Sequence, residues 1–92
     1  MNTENQTRIF EGSIENIQHI FHAEQNASSK DIHLSIFQKD DMDFNNEDPR
    51  IRITIDNKKP PAYNLHRHIG PTTLNHVELT RIMDKTLSEF GE

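Results

Sequence analysis

The 92-residue chain has no cysteine and no tryptophan, one tyrosine and three glycines. Without cysteine there is no disulfide framework, no thiolate nucleophile and no thiolate-bound metal. The glycines, Gly12, Gly70 and Gly91, are scattered, which excludes a glycine-rich phosphate-cradling loop. No apolar run approaches the roughly 20 residues of a membrane-spanning helix. The N-terminal stretch Met1 to Gln6 also lacks the basic and apolar regions of a secretory leader. The length fits one small domain, and such domains bury only about 60–70% of the surface that their unfolded chain exposes.

What the chain does have is a pair of alternating apolar segments. Ile32, Leu34 and Ile36 recur at every second position, as do Ile51, Ile53 and Ile55. That period of two, built mostly from β-branched side chains, predicts a β-hairpin from Asp31 to Asp56 with one aliphatic face. Its two arms are separated by the long acidic connection Gln38 to Pro49, which contains Asp40, Asp41, Asp43, Glu47 and Asp48.

The flanks supply candidates to cover that face. Thr7 to Glu11 reads as a short edge strand, broken by Gly12 and Ser13. Ser13 is placed as the N-cap of a helix from Ile14 to about Gln25, whose stripe is Ile14, Ile17, Ile20, Phe21 and Glu24. Beyond the hairpin, Pro60 and Pro61 stiffen the chain, and Tyr63, Leu65, Arg67 and Ile69 alternate with polar residues as a third strand. A final helix opens on Asn75 with Glu78 three residues later, a capping-box pattern, and ends at Gly91. The expected fold is therefore α+β, with residues 1–6 flexible and 7–92 one domain. Its antiparallel sheet has three to four strands in β-α-β-β-(β)-α order, with two helices packed on one face. The predicted core is Leu34, Ile36, Ile51, Ile53, Ile17, Phe21, Ile82, Met83 and Leu87.

The net charge of −5 is unevenly spread. Residues 1–49 carry −7, residues 50–68 carry +4 and residues 69–92 carry −2. The basic block holds Arg50, Arg52, Lys58, Lys59 and Arg67, with Tyr63 and His66 adding rings suited to stacking on bases. Arg50 and Arg52 are expected on the outward face of one strand, at a spacing that matches successive phosphates. The acidic connection is the natural counterpart for a basic protein surface, or for the basic block of the same hairpin.

Other chemistry is weakly signalled. His19 and His22 lie one helical turn apart and His66 and His68 share a face of an extended segment, but neither pair belongs to a known zinc motif. Asp41, Asp43 and Asn45 open like a calcium loop, yet Asn46 stands where glycine is needed and Arg52 where an acid is needed. No nucleophile, base and orienting acid come together, so no catalytic residue, metal or cofactor is assigned. The helix, three strands and helix from residue 14 onward are similar in order to the double-stranded RNA-binding domain. That family's lysine-rich start to the last helix is replaced here by Asn75-His76-Val77-Glu78.

The stretches Met1 to Phe10 and Leu79 to Lys85, with the overall size and charge, resemble phage-encoded anti-CRISPR proteins directed at the type I-F guide-RNA surveillance complex. The likeness extends over the whole chain but includes no diagnostic motif, so it assigns no residue a role. It implies a non-enzymatic inhibitor in the cytoplasm of a bacterial host, with no cofactor, membrane or small-molecule substrate. Its partners would be the Cas proteins of that complex and its guide RNA, and it would block hybridisation to target DNA. The alternative is a small nucleic-acid-binding regulator acting through the basic strand face of residues 50–68.

Overall fold

A computed structural model describes residues 4–39, 48–70 and 72–91. Five antiparallel strands follow one another in sequence order: β1 (Gln6–Ile14), β2 (Ile17–Gln25), β3 (Ile32–Gln38), β4 (Ile51–Asp56) and β5 (Ala62–His68). One helix, α1 (His76–Glu89), closes the fold. The expected hairpin is present, and its register sets Ile32 opposite Ile55, Leu34 opposite Ile53 and Ile36 opposite Ile51. All six aliphatic side chains are buried.

The expectation of three to four strands and two helices is overturned: the described residues form five strands and one helix. The stretch assigned to a first helix is the tip of β1 and all of β2. Glu15 and Asn16 both have positive φ, 52° and 68°, the two-residue arrangement that matches the twist of a hairpin. Ser13 is not a cap but pairs with Gln18, and Gly12 does not break the strand but sits inside it. Ile14, Ile17, Phe21 and Glu24 fall on a helical stripe by coincidence. The face that β2 buries is His19, Phe21, Ala23 and Gln25. The likeness in element order to the double-stranded RNA-binding domain falls with that helix.

Two polar residues on that face explain why it was hidden. His19 is 1% exposed and its ring N–H donates to the Ile17 carbonyl at 2.8 Å. Gln25 donates from its amide to the Lys30 carbonyl at 3.1 Å. Each polar group is satisfied, so its burial carries little penalty. Asn26, read as a residue ending a helix, instead organises the β2–β3 turn by accepting from the amides of Ser28 and Ser29.

The core lies between one face of the sheet and α1. It adds Ile14, Ala23, Ile32, Ile55 and Leu79 to the expected set, while Leu87 packs at its margin and Ile17 is only half-buried. The helix starts and stops where its sequence implies, although the Glu78 carboxylate accepts from Arg81 and does not close the capping box. The Asn75 side chain accepts from the Glu78 amide at 2.9 Å, and Gly91, at φ 77°, lies just past the C-terminal end. Its residues reach both edges of the sheet. His76 meets Tyr63 of β5, while Arg81 donates to the Ser13 carbonyl and Lys85 lies over the Phe10 ring on β1. Among the described residues no helix lies on the opposite face of the sheet.

Candidate functional site

Strand alternation determines what the uncovered face displays. In β3, His33, Ser35 and Phe37 take the positions between the buried Ile32, Leu34 and Ile36, and in β4 Arg52 and Thr54 do the same. Register then carries one row across the whole sheet: Ile9, His22, Ser35, Arg52 and Arg67 are successive cross-strand partners. A neighbouring row joins Glu24, His33, Thr54 and Asn64. On the other side of the first row, Ile20 pairs with Phe37.

A register shift between Arg52 and Ile53 leaves His66 as an extra residue in β5, a β-bulge. Bulges redirect side chains, and here the His66 ring hydrogen-bonds the Thr54 hydroxyl at 2.7 Å on the open face. Around that contact His33, Ser35, Arg52, Thr54 and His66 border a shallow depression of about 210 Å³, with Leu34 and Ile53 contributing to its floor. Arg52 is exposed and carries no ion pair among the described residues. Arg67, directly opposite, has its Nε bonded to the Pro49 carbonyl at 2.8 Å, which fixes the direction of its guanidinium. Two cations on adjacent strands, beside hydroxyls and imidazoles, form a seat for an anion bearing several oxygens, such as a phosphate.

The residues singled out in the sequence are divided by the fold. Arg52, His66 and Arg67 come together on the open face. Arg50 precedes β4, is half-buried, and its side chain runs beside Gly70, so Arg67 rather than Arg50 completes the pair with Arg52. Tyr63 is on the helix side, half-buried against the core, its hydroxyl hydrogen-bonded to His76 Nδ1. Its ring and the His66 ring therefore cannot stack on one strand of nucleic acid. Lys58 and Lys59 are exposed in the β4–β5 connection, whose Lys59–Pro60 peptide is cis. Asp48 is exposed; Asp40, Asp41, Asp43 and Glu47 lie outside the described residues.

The histidine pairs proposed for metal also separate. His19 and His22, three apart on a strand, point to opposite faces, one into the core and one onto the open face. His66 is held by Thr54 in the bulge. Among the described residues no three histidine or acidic side chains gather at one point.

His33, Ser35 and Phe37 escaped the sequence reading as site residues, and His22 entered it only as a metal candidate. The signal was present for the β3 members, which are the odd partners of a recognised alternating strand. His22 was hidden by the helical assignment. A second cleft, of about 330 Å³, lies between the β1–β2 hairpin and α1, but the Arg81 guanidinium on its rim is already bonded to Glu78 and the Ser13 carbonyl. No helix among the described residues is long and apolar enough to cross a membrane. Neither a family model nor a curated protein nor a solved structure matches the chain.

Proposed function

We propose that the chain is a non-enzymatic binding protein whose working surface is the open face of its sheet, centred on Arg52, Arg67 and His66. The observation that carries this reading is the pairing of Arg52 with Arg67 where no carboxylate answers them among the described residues. Like charges directly opposite one another destabilise a sheet. Such a pair is accounted for when an external anion receives it, and a phosphodiester backbone is the anion best matched to two guanidinium groups. His22 and His33 supply ring faces on the same surface for unpaired bases.

The partner follows from the resemblance to anti-CRISPR proteins, which points to the type I-F surveillance complex. In this reading the arginine pair contacts exposed guide RNA, the acidic residues of segment 40–48 meet basic Cas surfaces, and pairing with target DNA is blocked. A net charge of −5 opposes tight binding to free nucleic acid, and a protein partner supplies the attraction that the chain as a whole lacks. The other reading, a regulator that binds nucleic acid alone, draws support from the same row of rings and cations.

The two are separated by one pair of assays at physiological salt. The inhibitor reading expects capture by the purified surveillance complex and loss of target-DNA binding, with little shift of free single-stranded RNA. Strong binding to free RNA with no effect on the complex supports the regulator instead. Failure in both assays contradicts both readings.

A further inference from the structure

The two edges of the sheet are finished differently. On β1, Arg81 holds the Ser13 carbonyl at 3.0 Å and Arg8 holds the Thr7 carbonyl at 3.1 Å, so side chains occupy main-chain acceptors that another strand would need. Beyond β5 no further strand lies among the described residues. β5 contains no proline, and its seven residues give an edge long enough to template a further strand.

Beside that edge, Pro61, Ala62, Tyr63, His76, Thr80 and Met83 enclose a cleft of about 370 Å³ between β5 and α1. This is room for one or two large apolar side chains. Among the described residues, the exposed large hydrophobic side chains include Leu65 (40%) in β5, Ile69 (50%) just past its far end, and Val77 (75%), which adjoins His76 at the start of α1. The charge along this segment is mainly positive, although Asp56 of β4 is the cross-strand partner of Ala62. Residues 57–69 contain Lys58, Lys59 and Arg67 and no acidic residue at all, in a chain that is otherwise acidic. Glu78, the acid in the first turn of α1, is bonded to Arg81.

We propose that the β5 edge is a docking site for an extended acidic segment of a partner protein, which adds as a sixth strand. Main-chain hydrogen bonds to β5 set its register, and alternate side chains point to opposite faces. An apolar side chain on the helix side enters the Tyr63–Met83 cleft, while flanking carboxylates meet Lys58 and Lys59. This site is separate from the Arg52–Arg67 row, which faces outward from the sheet rather than along its edge, and does not depend on the function proposed for that row.

The test uses the full chain and a fluorescein-labelled peptide of sequence Glu-Leu-Asp-Phe-Asp-Val-Glu, followed by anisotropy and by amide hydrogen exchange. Saturable binding that weakens with salt is expected, with slowed exchange in Ala62–His68 and no change in Gln6–Ile14. Lys58→Glu/Lys59→Glu and, separately, Leu65→Glu each weaken binding by about tenfold or more; all three positions are exposed, and unchanged melting temperatures exclude a folding defect. Arg52→Glu leaves the affinity unaltered, which keeps this result independent of the open-face reading. The proposal is overturned by absence of saturable binding, by equal affinity in the wild-type and edge variants, or by protection that appears on β1 instead of β5.

Discussion

Arg52 of β4 stands directly opposite Arg67 of β5 on the uncovered face of the sheet, and Arg67 alone of the two is fixed by a main-chain carbonyl, that of Pro49. The free member of the pair is therefore the one to remove. Arg52→Gln should leave stability equal or slightly higher, by up to about 1 kcal/mol, because it relieves a like-charge cross-strand contact. Urea unfolding of the two proteins checks this; a clear loss of stability would show that Arg52 is a structural residue.

The β3–β4 register makes Ile53 a central core position, 2% exposed and opposite Leu34. Ile53→Ala should cost about 2–5 kcal/mol, by loss of buried surface and creation of a cavity. An unchanged unfolding midpoint would contradict the packing of β4 against α1.

The first turn offers a test of the strand that replaced the expected helix. Asn16 has φ 68°, a region that a β-branched residue enters only under strain. Asn16→Val should destabilise the protein by roughly 1–3 kcal/mol. In a helix the same exposed substitution would be close to neutral, because Asn and Val have similar helix propensity, so denaturant titration distinguishes the two folds.

At the other end of the chain, Asn75→Ala should remove the helix N-cap at a cost of about 1 kcal/mol. Asn75→Ser should retain most of that stability, since a hydroxyl can also accept from the Glu78 amide. Equal losses in both variants would mean that the cap is not the contribution being measured.

How far the sequence disclosed this structure depended on whether each element buried what its period advertised. β3, β4 and α1 were legible to the level of buried face and N-cap because Ile32 to Ile36, Ile51 to Ile55 and Asn75 follow the local rules. β2 was not, because its inner face carries His19 and Gln25, whose partners are carbonyls supplied by the fold itself. The turn that precedes it has Glu15 and Asn16 in place of glycine, so the usual hairpin mark was missing as well. The site suffered from the same cause. Arg52, His66 and Arg67 were legible from charge and spacing, but the bulge that turns His66 outward and the placement of the Arg50 side chain beside Gly70 depend on pairing that no local pattern records.

The most direct test of the open-face reading is capture of the protein by purified type I-F surveillance complex, comparing wild type with Arg52→Glu. The expected result is stoichiometric binding and loss of target-DNA binding with wild type. Arg52→Glu should melt at the wild-type temperature yet neither bind nor inhibit. A variant that binds and inhibits as well as wild type would contradict the account, because the paired guanidinium groups of the uncovered face would then have no part in what the protein does.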